Sequence, residues 1–374
     1  MIYKQFGKTG IEVSNLGFGC MRLPMITKDG KEIVDDEKAG PLLQRAVELG
    51  VNYFDSHWFY CNNDSQRALG KALKNVRDKV YISTKIPCWL VEKSEDFDIF
   101  LEKALEQLDM DYIDFYHLPY MSYNTWKNKI VPLKLLDRAE KAKSKGLIKH
   151  LSFSYHYDIL KMRELIDTGA FSSVLGQYNL ADRESEELFA YAKDKGVGTV
   201  VMVPLMGGAF TDGGETLLKM MESDASSAAE LGLRFTWSLP AVDMVLSGMT
   251  TMQQLEDNVR YAKNAGTITA AERQAMIDKS DSLKRIKDVF CTTCNYCYEC
   301  PAKINISRIF QMYMKHYVWG LTESVREMRY WDEPFGLKVQ PSACTNCGYC
   351  VEKCPQDIDI PNELKRVWEV LMGL

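Results

Sequence analysis

The chain has 374 residues, 46% hydrophobic and 26% charged, with a formal net charge of -5, a composition that fits two globular domains with a core each. So slight an acidity sets up no field for a polyanion, and no run of about 18 apolar residues is present to cross a bilayer, so neither nucleic acid nor membrane is an expected partner. The opening MIYKQFGKTG lacks the apolar centre of a signal peptide, so the expected location is cytoplasmic, where the eleven cysteines are not expected to pair as disulfides.

From residue 16 onward, short β-branched or apolar runs alternate with longer segments of helical period. The runs are LGFGCM (16–21), NYFD (52–55), VYISTK (80–85), YIDFYH (112–117), IKHLSFS (148–154), SVLGQYN (173–179), GTVVMVP (198–204) and VDMVLSG (242–248). Between them, GPLLQRAVELG, SEDFDIFLEKALEQLDM and ESEELFAYAKDKG read as helices, two of them closing at Gly. Eight β-then-α units within about 250 residues predict an α/β fold of the (β/α)8 TIM barrel type. The rival, a doubly wound open sheet, wants a G-x-G-x-x-G turn after its first strand, which LGFGCMRLP does not supply. The barrel is expected over 1–266, a helical linker over 267–288, and a cysteine-bearing module over 289–374.

Four ionisable residues fall at or just past successive strand ends: Asp55, Tyr60, Lys85 and His117. Singly, each has an ordinary structural reading, as a helix cap, a core phenol, a solvated amine or a packed imidazole. In a barrel, however, those ends converge on one mouth. A phenol with a pKa of about 10 is a poor acid at neutral pH unless a neighbouring cation stabilises its phenolate. Lys85 would supply that cation and Asp55 would hold it; Tyr60 would pass a proton to or from a carbonyl oxygen, which His117 would polarise.

The stretches FDSHWFY, STK and DFYHLP resemble the Asp-x4-Tyr, lysine and histidine segments of the aldo-keto reductases, and the first 265 residues or so are similar to that family. The resemblance implies a nicotinamide-dependent oxidoreductase using NAD(P)H on a small-molecule carbonyl or alcohol, with Asp55, Tyr60, Lys85 and His117 as its catalytic residues. By the same resemblance, Ser154 and Gln177 would hold the nicotinamide carboxamide. Pro204, Gly207 and Gly208 of PLMGG would form the pyrophosphate segment, and Asn258 would reach adenine. The chain departs from the family at Tyr155, where Asn is common, and at Met202, where a tyrosine usually stacks under the nicotinamide. Thr250 and Gln254 stand near the adenosine end, where many relatives place an arginine for the 2′-phosphate. A neutral pair there gives no charge-assisted grip on that phosphate, so NADPH is not favoured over NADH.

Eight cysteines fall in two runs, Cys291-x2-Cys294-x2-Cys297-x2-Cys300-Pro301 and Cys344-x2-Cys347-x2-Cys350-x3-Cys354-Pro355. Structural zinc takes two ligand pairs separated by a longer loop. Four cysteines and a proline in each run match the bacterial ferredoxin signature for cubane clusters, in which the trailing cysteine serves the other cluster. Two [4Fe-4S] clusters are expected, on Cys291, Cys294, Cys297 with Cys354, and on Cys344, Cys347, Cys350 with Cys300. The x2 spacing before Cys300 departs from the usual x3. Between the runs, apolar residues at 306, 309, 310, 313 and 317 keep a helical period, and PNELKRVWEVL (361–371) reads as a closing helix, so the module is a small helical ferredoxin-like iron-sulfur domain. Tyr313, Tyr317, Trp319, Tyr330 and Trp331 read as core rather than as electron relays.

Carbonyl reduction by itself needs no cluster. The clusters therefore either exchange electrons with a protein partner or hold the module together. An alternative class is an NAD(P)(H)-binding redox sensor with structural clusters.

Overall fold

All eight runs form parallel strands of one closed barrel. The computed structural model describes the chain except for residues 157–158, 284–290, 295, 298, 323–324 and 326–338. In chain order the strands are β1 (Tyr3–Gln5), β2 (Glu12–Ser14), β3 (Leu16–Gly19), β4 (Met25–Lys28), β5 (Lys31–Val34), β6 (Tyr53–Asp55), β7 (Tyr81–Lys85), β8 (Ile113–Leu118), β9 (Ile148–Tyr155), β10 (Ser173–Gln177), β11 (Gly198–Met202) and β12 (Met244–Gly248). The barrel runs β3-β6-β7-β8-β9-β10-β11-β12 and closes where β12 meets β3, with Val245 opposite Leu16. This is a (β/α)8 barrel: the crossover helices include Asp36–Glu48, Asp96–Leu108 and Glu186–Asp194, and buried strand positions carry Val, Ile, Leu and aromatic side chains.

Two hairpins precede or interrupt the first unit. In β1–β2, Phe6 and Val13 join Tyr53, Phe115, Leu175, Val200 and Met244 in a buried cluster. Tyr53 begins β6 and Met244 begins β12, so the hairpin plugs the end of the barrel where the strands start. In β4–β5, the turn residues Asp29 and Gly30 both have positive φ, 50° and 74°, as a two-residue type I′ turn requires.

The chain divides into two compact units. The first comprises Met1–Tyr178, Asp182–Pro204 and Thr236–Thr267; the second comprises Asn179–Ala181, Leu205–Phe235 and Ile268–Leu374. Within the second, Thr269 and Glu272 form a capping box that starts helix Ala270–Ser282. The rest of the predicted linker helix, from 284 to 288, lies outside the described residues. Helix Ile306–Tyr313 passes into a π-turn at Met314–Val318, and helix Ile360–Met372, with a proline in its first turn, packs on it through Arg366 Nη1 donating to Tyr313 Oη at 2.9 Å. Ile306, Ile309, Phe310 and Tyr313 are buried as their period predicts, but Tyr317 is 40% exposed. The π-turn widens the helix by one residue per turn and breaks the stripe there. Trp319 is buried; Tyr330 and Trp331 lie outside the described residues. No helix among the described residues is long and apolar enough to cross a membrane.

Candidate active site

In the first unit, Asp55 ends β6 opposite Ser83 of β7, and Lys85 ends β7 opposite His117 of β8. Parallel strands bring these ends to one rim. Lys85 Nζ donates to Asp55 Oδ2 at 2.5 Å and to the Ser56 carbonyl at 2.8 Å, and Ser83 Oγ donates to Asp55 Oδ1 at 2.8 Å. Both partners of the pair are 4% exposed. Burial pulls the Lys85 pKa below its ordinary value, and the Asp55 carboxylate works against that pull. Nζ lies 5.1 Å from the centre of the Tyr60 ring, close enough for the charge to favour a phenolate.

Tyr60 sits in the loop after β6, its amide donating to the His57 carbonyl at 3.1 Å. Cys61, Asn62 and Asn63 follow it with φ of 53°, 55° and 68°. Asparagine tolerates the left-handed region, whereas for Cys61 it costs energy. That residue is tied back by its thiol, which donates to the Cys20 carbonyl at 3.5 Å. His117 is fully buried, and neither ring nitrogen has a hydrogen-bond partner of normal geometry among the described residues. Burial first, and the Lys85 charge second, hold its pKa well below the usual imidazole value. Both causes favour the neutral imidazole, which the nearby Phe153 backbone opposes only in part.

Beyond the four strand-end residues, His57, Trp89 and Tyr120 form an aromatic group beside Tyr60. The His57 ring stacks on Trp89 (centroids 5.6 Å, 14°), lies 5.2 Å from the Tyr60 ring and meets Tyr120 edge-on at 6.3 Å. A signal was present: FDSHWFY places an imidazole two residues past the strand-end aspartate.

Of the residues expected at the nicotinamide, Ser154 lies near the end of β9 opposite Leu175, its Oγ accepting from the Tyr120 amide at 3.4 Å. Gln177 ends β10 and donates through Nε2 to Asp182 at 2.6 Å. Pro204 is buried in the loop after β11, and Asn258, in helix Met252–Lys263, donates to Ser247 Oγ at 3.1 Å. Thr250 and Gln254 are occupied in starting that helix: the Thr250 amide donates to Gln254 Oε1 at 2.8 Å, and the Thr250 hydroxyl donates to the Arg22 carbonyl at 2.8 Å.

In the second unit, Gly207 and Gly208 have φ of 63° and 104°, and Gly208 caps helix Ala209–Met221. The Cβ side of Gly207 is filled: a methyl there would lie 1.9 Å from the Thr292 carbonyl oxygen, and Thr293 Oγ1 donates to the Gly207 carbonyl at 3.2 Å. The first cysteine run thus begins on this glycine.

The cysteines of the second unit line two hollows of about 320 and 350 Å³, open mouths included. Cys291, Cys294, Cys297 and Cys354 surround one; Cys300, Cys344, Cys347 and Cys350 surround the other. Among the described residues, no three Cys, His, Asp or Glu side chains gather closely enough for a single metal ion. Each set holds four thiols and draws on both cysteine runs, as the ligand sets of paired cubane clusters do. Burial, then the neighbouring thiols of Cys294, Cys291 and Cys354, push the Cys297 pKa up, so as a free thiol Cys297 resists ionising and an iron core would have to draw its proton off.

The model of the aldo/keto reductase family matches residues 15–281, and that of a 4Fe-4S dicluster domain matches residues 290–360. Among curated proteins, an uncharacterized oxidoreductase, YqkF, of Bacillus subtilis is 25% identical over 306 residues, covering 73% of this chain and 94% of that protein. L-galactose dehydrogenase of Arabidopsis thaliana is 26% identical over 283 residues, covering 68% and 86%. Among solved structures, the holo form of the aldo-keto reductase AKR11C1 from Bacillus halodurans superposes with a TM-score of 0.64 at 27% identity, covering 75% of this chain and 96% of that one.

Proposed function

Because the chain belongs to the aldo/keto reductase family and is an NAD(P)H-dependent oxidoreductase with a 4Fe-4S dicluster domain, we propose that it interconverts a small carbonyl and its alcohol at the Asp55–Tyr60–Lys85–His117 rim and exchanges electrons with a protein partner through two [4Fe-4S] clusters. The observation that carries the catalytic half is the buried Lys85–Asp55 pair 5.1 Å from the Tyr60 ring.

In this reading the nicotinamide, when bound, supplies or accepts the hydride. Tyr60 gives its proton to the carbonyl oxygen in reduction and takes it back in oxidation. Lys85 makes that exchange feasible near neutral pH by stabilising the phenolate, and Asp55 opposes the burial that lowers the Lys85 pKa. His117, as a neutral imidazole, donates to the same carbonyl oxygen and polarises it. Ser154 and Gln177 would hold the carboxamide, Pro204 and Gly207–Gly208 would serve as the pyrophosphate segment, and Asn258 would reach the adenine. Cys291, Cys294, Cys297 and Cys354 hold one cluster, and Cys300, Cys344, Cys347 and Cys350 hold the other, the support being the two hollows that these same sets surround.

Tyr60→Phe removes the acid and leaves the cofactor contacts. Carbonyl reduction should fall by at least about a hundredfold while nicotinamide binding persists; wild-type turnover by this variant would reject the assignment. Anaerobically prepared protein should hold about eight iron and eight acid-labile sulfide per chain, two cubanes' worth. Zinc without sulfide would reject the clusters. A dithionite-reduced cluster signal in EPR that outlasts many turnovers after oxidised substrate is added would show that the clusters do not feed the carbonyl chemistry and would leave them a structural role.

A further inference from the structure

The candidate mouth holds a polar group, His57, that the mechanism above does not use. His57 is 1% exposed, and its Nδ1 accepts the Phe59 amide hydrogen at 3.1 Å. An accepting Nδ1 fixes the neutral tautomer, so the ring proton sits on Nε2. That Nε2–H is buried and has no hydrogen-bond partner among the described residues. An unsatisfied buried donor is costly, and proteins keep one where a ligand completes it.

The surroundings say which ligand atom. The His57 ring lies 5.2 Å from the ring of Tyr60, and Lys85 and His117 are near enough to act on it electrostatically. In the proposed mechanism Tyr60 and His117 both donate to the reacting oxygen. A third neutral donor beside them matches an oxygen one carbon further on. Trp89 stacks on the imidazole at 14° and so fixes its plane.

We propose that His57 is a specificity-determining residue that donates a hydrogen bond from Nε2 to an oxygen on the carbon next to the reacting carbonyl, so that the site selects hydroxylated aldehydes and sugars over plain alkanals. This rests on the reading of the site as a carbonyl reductase. His57 takes no part in the proton exchange: the proton still passes from Tyr60 to the carbonyl oxygen, and the imidazole proton stays on Nε2 throughout. Discrimination follows because a substrate with a methyl in place of the hydroxyl leaves the donor buried and unpaired.

Glycolaldehyde and propanal differ by that replacement alone. Wild-type protein, anaerobic and with clusters intact, should show the higher kcat/KM on glycolaldehyde with reduced nicotinamide. In His57→Leu, the ratio of glycolaldehyde to propanal kcat/KM should fall by about tenfold, the value of one hydrogen bond of this kind, with propanal nearly unaffected. In His57→Gln, whose amide keeps a donor, much of the ratio should return. Equal losses on both aldehydes would show a merely structural role and overturn the inference, as would an unchanged ratio in His57→Leu. Both results leave the reductase reading standing, whereas a wild type that turns over neither aldehyde with NADH or NADPH overturns that reading and this inference with it.

Discussion

The Lys85–Asp55 pair offers a sharp physical test, because stability and chemistry should respond to it differently. Two unit charges 2.5 Å apart attract by roughly 7 kcal/mol at an effective dielectric of 20, and the desolvation of each ion takes back much of that. The net value of the pair is modest; breaking it is not. Lys85→Met leaves the Asp55 carboxylate buried with the Ser83 hydroxyl as its donor, and such an uncompensated charge costs about 3–5 kcal/mol. Asp55→Asn leaves the Lys85 ammonium with the Ser56 carbonyl, at a cost of the same order. The double substitution D55N/K85M buries no charge, so it should be less destabilised than the two single costs summed, by about 2–3 kcal/mol. Hydrogen exchange at the amides of β6 and β7 reads the opening free energy of the barrel without assuming that the whole chain unfolds in one step. Carbonyl reduction should be lost in all three variants and should not return in the double. Additive costs, with a coupling under about 0.5 kcal/mol, would refute the buried pair as the organising interaction of the site.

Cofactor choice follows from the helix start at Thr251. With Thr250 and Gln254 engaged in capping and Arg260 held by Asp257 at 2.6 Å, NADH should bind at least as tightly as NADPH in a fluorescence titration; a preference for NADPH beyond about tenfold would implicate Arg260 or Lys263 in gripping the 2′-phosphate. Gly207→Ala should lower the iron content of the purified protein, because its methyl would strike the Thr292 carbonyl oxygen. Gly214→Ala, at φ 47° with nothing within 4 Å of the new methyl, carries backbone strain without the collision and should keep its iron. Equal iron in the two variants would show that the loop yields freely.

Strand identity was legible because each barrel strand is an apolar run ended by a turn, and the strand-end residues followed from that alone. The hairpin β4–β5 was not found, since MITKDGKEIV is mostly polar and all but its last two residues are exposed; the Asp29-Gly30 pair was its one available sign. The β1–β2 plug escaped for a different reason: its strands are three residues each, too short to show a period. His57 was hidden by its neighbours, because an imidazole among Trp58, Phe59 and Tyr60 reads as one more aromatic until the Phe59 amide is seen to claim Nδ1. The iron-sulfur character of the two cysteine runs was legible from spacing, but the place of Leu205–Phe235 in the second unit was not. Its amphipathic helix looks in sequence like any other barrel crossover, and only the partners across the fold distinguish it.

Those partners constrain how the chain can change. In the second unit, Trp319 presses on Gly213, where a methyl would lie 2.8 Å from the indole, and Phe210 meets the same ring edge-on. Thr292 occupies the space beside Gly207. Positions 207, 210 and 213 therefore cannot vary independently of 292 and 319: added bulk in one segment is tolerable only if bulk is lost in the other. A gene truncated after the codon for residue 266 would encode a segment with an apolar face and no cover, a recipe for inclusion bodies. The heritable unit of variation here is the pair of segments, not either segment alone.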